Sequence, residues 1–67
     1  MSYDALTPRE RQVCNLMVLG LTSPEIGISL GISHRTVEDH RKQILKKYDV
    51  CNAVELTRAV YGIGEIA

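Results

Sequence analysis

Tryptophan and phenylalanine are absent from this chain of 67 residues, and three tyrosines are its only aromatics. A chain so short buries only about 60% of the surface its unfolded form exposes. One domain with a small core is therefore the most it can build. Cysteine is scarce as well. Cys14 and Cys51 stand far apart, in neither C-x-x-C nor Cys/His ligand spacing, which excludes a disulfide framework and a zinc centre and suits a reducing compartment. His34 and His40 are two turns apart rather than one and have no carboxylate or thiol partner arranged for a metal, so none is expected. No apolar run approaches the roughly 18 residues of a membrane span. The opening Met1-Ser2-Tyr3-Asp4 lacks the basic-then-apolar order of a signal peptide. A soluble cytoplasmic protein, without membrane attachment, is expected. There is no glycine-rich phosphate loop, no Ser/His/Asp order and too little chain for a substrate pocket. The expectation is that the chain is not an enzyme and carries no cofactor.

Net charge of one sign is also missing: eight basic and eight acidic residues sum to zero. Taken alone, that argues against the basic footprint of a nucleic-acid binder. The distribution argues otherwise. Between Arg35 and Lys47 lie five basic residues (Arg35, Arg41, Lys42, Lys46, Lys47) against Glu38 and Asp39, while the remainder carries three bases and six acids. The molecule should be electrically polarised.

What is present is a run of helix punctuation. Residues 1–5 show no periodicity and read as a tether, leaving 6–67 as the domain. Thr7-Pro8-Arg9-Glu10 combines a cap, a first-turn proline and the glutamate of a capping box, so a first helix is predicted over about 7–19. Val13, Leu16, Met17 and Gly20 recur at helical spacing as its buried stripe. Thr22-Ser23-Pro24-Glu25 repeats the start signal with Thr22 or Ser23 as cap. A second helix follows over 23–30, burying Ile26 and Leu30 and stopped by Gly31. Ser33 caps a third, over 34–48, with Val37, Ile44, Leu45 and Tyr48 on its apolar side. Asn52-Ala53-Val54-Glu55 opens a fourth, over 53–61, near whose end stands Gly62. The fold class is all-α, with four helices and no strand.

Only Gly31, Ile32 and Ser33 separate the second and third helices, which is helix-turn-helix spacing. Gly27, inside the second helix, costs about 1 kcal/mol relative to alanine. Close packing against the third helix near Val37 is the expected compensation. With Val37, Ile44 and Tyr48 inward, the 3.6-residue period turns Arg35, Glu38, Asp39, Lys42 and Lys46 outward. A generic helical hairpin has the same spacing.

The order of blocks narrows this. Leu6-Thr7-Pro8-Arg9-Glu10-Arg11-Gln12-Val13, then Gly20-Leu21-Thr22, Glu25-Ile26, Leu30-Gly31-Ile32-Ser33, Arg35-Thr36-Val37-Glu38, His40-Arg41 and Ile44-Leu45-Lys46-Lys47 resemble the C-terminal DNA-binding domain of the LuxR/NarL/FixJ response-regulator family. The resemblance runs from Leu6 to about Ile66, and the Arg-Thr-Val-Glu-x-His-Arg segment is most similar to the FixJ-type branch. It implies a cytoplasmic output domain of a bacterial transcription regulator in a two-component system, bound to double-stranded DNA. The third helix would enter the major groove, the second would brace it, and the fourth would form a weak homodimer. RNA polymerase and an upstream receiver or sensor domain are the further partners it implies.

On that frame Arg35, Glu38, Asp39 and Lys42 are the expected base contacts: Lys42 to guanine, Glu38 or Asp39 accepting from cytosine N4, Arg35 to base or phosphate. Thr36, Arg41, Lys46 and Lys47 are the expected phosphate contacts, which hold register without reading sequence. Val54, Thr57, Arg58 and Tyr61 are the expected dimer contacts, with Leu56, Ala59 and Val60 facing inward. His40 is expected to pack beneath the recognition face, and Cys14 within the first helix. Ser23-Pro24 replaces the family's common Asn-Lys, removing a phosphate-binding lysine. Asp39 adds an acid beside Glu38, Gly27 stands for alanine and Tyr48 for leucine. Two carboxylates facing DNA imply weak binding by the isolated domain. They also motivate an alternative, a helix-turn-helix module that serves mainly to bind protein.

Overall fold

The computed structural model describes residues 3–62. A single 3-10 turn, Tyr3–Ala5, precedes four helices: α1 (Pro8–Val18), α2 (Ser23–Leu30), α3 (His34–Tyr48) and α4 (Ala53–Tyr61). No strand occurs among the described residues, and no helix there is long and apolar enough to cross a membrane.

Each helix starts where a side chain accepts from an otherwise unpartnered first-turn amide. Thr7 Oγ1 accepts from Glu10 N at 3.1 Å while Glu10 Oε1 accepts from Thr7 N at 2.9 Å. Thr22, rather than Ser23, caps α2, and Glu25 Oε1 returns the bond to Thr22 N at 2.8 Å. Ser33 caps α3 through Thr36 N. Asn52 caps α4 through Glu55 N, but the Glu55 carboxylate reaches past the cap to Cys51 N at 2.9 Å. Left-handed residues end three of the helices: Gly31 at φ 70°, Gly62 at φ 66° and Asp49 at φ 57°, the one non-glycine in that region among the described residues.

The core is Leu6, Val13, Cys14, Met17, Ile26, Val37, Ile44 and Leu56, drawn from all four helices and the segment before α1. Helix α3 packs on both α1 and α2, and α4 lies against α1 and α3. Leu30, Ile32, Leu45 and Tyr48 close the edges of that core half-buried. Gly20 does not belong to the buried stripe of α1: it is exposed at φ 94°, where the chain turns after Leu19. The close approach at Gly27 involves the turn more than α3. A Cβ there would stand 2.8 Å from the Ile32 carbonyl oxygen and 3.7 Å from Val37 Cγ2.

Two expectations change at the ends. Residues 3–5 are held to the domain rather than tethering it. Arg11 donates from Nε to the Tyr3 carbonyl at 3.1 Å, and its guanidinium lies 5.0 Å from the centroid of the Tyr3 ring. In α4 the inward stripe is Ala53, Leu56, Thr57 and Val60, at i, i+3, i+4 and i+7. Ala59 is exposed, and Thr57 is half-buried with its hydroxyl donating to the Ala53 carbonyl at 2.9 Å. Thr57 is thereby withdrawn from the outer face, where Val54, Arg58 and Tyr61 remain exposed.

Candidate nucleic-acid interface

Helix α3 carries its functional side chains because the two faces of one amphipathic helix meet different surroundings. Val37 and Ile44 are fully buried against α1 and α2. Arg35, Glu38, Asp39, Lys42 and Lys46 all project into solvent, as the helical period requires. The short turn Gly31–Ser33 fixes how α3 leaves α2. Gly31 takes a left-handed conformation, and Ile32 N donates back to the Gly27 carbonyl at 3.0 Å.

The exposed face is not a plain row of charges. Each of its two acids leans back one turn along the helix: Asp39 Oδ1 lies 4.0 Å from Arg35 Nε, and Glu38 Oε2 lies 3.3 Å from His34 Nε2. The Glu38 carboxyl is held below the usual carboxylate range, first by the Ser23 hydroxyl at the head of α2 and then by the nearby Arg41 and His34. Lys42 and Lys46 are exposed and make no ion pair among the described residues. Arg41 is half-buried. Thr36, also half-buried, shares a 2.8 Å hydroxyl contact with Ser33.

Lys47 is engaged within the fold. Its ammonium donates to Glu10 Oε1 at 2.7 Å and to the Ala5 carbonyl at 3.1 Å, so it ties the last turn of α3 to α1 and to the preceding segment. Reaching a phosphate would strip a buried carboxylate of its cation, which weighs against a phosphate contact by Lys47. The Glu10 carboxylate is correspondingly dual in purpose. Burial raises its pKa, but the Lys47 hydrogen bond and charge, the Thr7 amide and nearby His40 outweigh this and leave it below its ordinary value. Its capping role is plain from the sequence; its partnership with a residue 37 positions away is not.

Of the remaining expected residues, Cys14 is fully buried and burial pushes its thiol pKa up, while Cys51 is exposed. His40 is half-buried. Leu19 and Ile28 are large apolar side chains left exposed, and Val54 and Tyr61 of α4 share that property at 65% and 56% exposure.

This is a helix-turn-helix domain with a solvent-facing, cation-bearing second helix in the motif. Residues 4–60 match the family model described as bacterial regulatory proteins, luxR family, and the chain belongs to that family. It is 43% identical over 58 residues to the transcriptional regulatory protein UhpA of Escherichia coli strain K12, covering 87% of this chain and 30% of that protein. It is 44% identical over 55 residues to the transcriptional regulatory protein MctR of Rhizobium johnstonii, covering 82% and 26%. The solved structure of the response regulator StyR superposes with a TM-score of 0.87 at 36% identity, over 91% of this chain and 31% of that one. The chain thus spans about a third of the length of these relatives or less. The family is one of regulatory proteins, not of enzymes.

Proposed function

We propose that this domain binds double-stranded DNA sequence-specifically, with α3 in the major groove, as the output domain of a bacterial transcription regulator. The observation that carries the reading is the outer face of α3, where Arg35, Lys42 and Lys46 stand exposed on a helix whose inner face is locked into the core. A helix of about 10–12 Å diameter with its side chains matches the major groove, some 12 Å wide. Membership of the luxR family, and relatives named as transcriptional and response regulators, support the same reading.

Within it, Lys42 reads guanine from the middle of α3 and Arg35 reads from its first turn, with Glu38 and Asp39 on the same face. Lys46, Arg41 and Thr36 serve phosphates. Two copies meet through Val54, Arg58 and Tyr61 of α4, which places two recognition helices about one DNA turn apart. An upstream receiver or sensor domain and a contact to RNA polymerase complete the proposed regulator, and a cytoplasmic location goes with that role.

Neutral net charge favours a second reading, a module that binds protein. Salt separates the two. Titration of labelled duplex at low and moderate salt should show affinity falling steeply with salt, with a slope set by the number of phosphates engaged. Lys42→Ala should weaken binding about tenfold or more. Salt-independent binding that survives Lys42→Ala would contradict the DNA reading.

A further inference from the structure

The two acids of the recognition face are not equivalent, and their partners tell them apart. Glu38 Oε2 lies 3.3 Å from His34 Nε2, and its carboxyl pKa is lowered first by the Ser23 hydroxyl of α2, so its surroundings are the protein's own polar side chains. Asp39 has a single ionic partner among the described residues, Arg35, at 4.0 Å. The carboxylate approaches Arg35 from the Nε side, at ionic rather than hydrogen-bond distance. Contact at Nε leaves the terminal edge of the guanidinium, with its two Nη nitrogens, unobstructed, and that fork matches two acceptors side by side.

We propose that Asp39 is a positioning residue for Arg35, orienting it to read a guanine beneath the first turn of α3, rather than an acceptor for cytosine. The inference rests on the DNA-binding reading above and assigns the base that Arg35 takes. Three physical points support it. Helical side chains lean towards the N-terminus, so Asp39 leans back over Arg35. Its one methylene gives it far less reach than the arginine beside it, which therefore meets the base edge first. An arginine alone on this face would accept a phosphate as readily as a base. A carboxylate about 4 Å away cancels most of its charge at a distance and repels phosphate, yet leaves hydrogen bonding to the neutral O6 and N7 of guanine intact.

An acid that merely repelled DNA would have different consequences. The preferred site of the chain is first obtained by selection from random duplexes, and all four base pairs are then compared at each position for five proteins. Asp39→Ala should bind random duplex more tightly at low salt, because one negative charge is gone. The same variant should lose about tenfold in preference for guanine at one position. Arg35→Ala should lose preference at that same position, and the double variant should be no worse there than Arg35→Ala alone. Asp39→Asn, which keeps an oxygen acceptor, should retain part of the preference. Both side chains are exposed, so the melting temperatures of all variants should agree closely.

Unchanged preferences in Asp39→Ala would overturn the proposal. So would a loss at a position that Arg35→Ala leaves alone, which is the mark of direct cytosine recognition, or additive losses in the double variant. If the parent chain selects no site and Lys42→Ala changes nothing, the DNA reading itself fails and takes this inference with it.

Discussion

The Lys47 ammonium lies 2.7 Å from the Glu10 carboxylate, joining the last turn of α3 to the first turn of α1 across 37 residues of sequence. The two partners are unequally buried: the Glu10 side chain is 7% exposed and that of Lys47 30%. Removing the cation therefore strands a buried charge, whereas removing the charge frees a lysine that can turn to solvent. Lys47→Ala should lower stability by about 2 kcal/mol, below the usual loss for a fully buried pair because Lys47 is partly solvated. Glu10→Gln should cost about 1 kcal/mol, since the amide still caps α1. Urea denaturation of both variants checks the order, which reverses if the pair is merely a surface contact.

The same pair sets an acid limit. Glu10 is depressed below its ordinary value of about 4.5, chiefly by Lys47 acting against burial. A depressed carboxylate contributes stability that is fully present above the unfolded value and lost as pH falls through the folded one. The native chain should lose stability below about pH 4.5, and Glu10→Gln should show a shallower loss over that window. Melting temperature against pH for the two proteins makes the comparison. Parallel curves would show that other carboxylates govern acid unfolding.

Much of this architecture is legible in the sequence because caps are local. Thr7, Thr22, Ser33 and Asn52 each act on an amide three residues away, and the outward face of α3 follows from its period alone. What escapes is contact between distant segments. Glu10 reads as a cap and Lys47 as a helix-end cation, and nothing local joins them. Helix α4 fails for another reason: with nine residues, its apolar positions admit more than one 3.6-residue stripe. Packing, not periodicity, turned Thr57 inward and Ala59 out. The pairing of Asp39 with Arg35 was open to inspection, being an i, i+4 acid–base spacing.

Thiol chemistry should distinguish the two cysteines. Cys51 is exposed and Cys14 fully buried with a raised pKa, and the thiolate is the reactive form. Alkylation followed by mass spectrometry should label Cys51 promptly in the native protein and Cys14 only as the chain unfolds. Equal rates would mean that α1 is not packed as described.

The outer face of α4 offers a separate test of assembly. Val54 is 65% exposed, so Val54→Arg should leave the melting temperature of the monomer within about 4 °C, as surface substitutions generally do. If α4 joins two copies on DNA, the same change should weaken binding to an inverted repeat by about tenfold and leave a single half-site unaffected. Equal effects on both sites would place the dimer contact elsewhere.

Selection from a pool of random duplex DNA, at low and moderate salt, with the parent chain and Lys42→Ala in parallel, bears most directly on the claim that α3 reads bases. If α3 reads bases, an inverted-repeat site is enriched, fades with salt and disappears with Lys42→Ala. Enrichment unchanged by that substitution, or none at either salt, would contradict it.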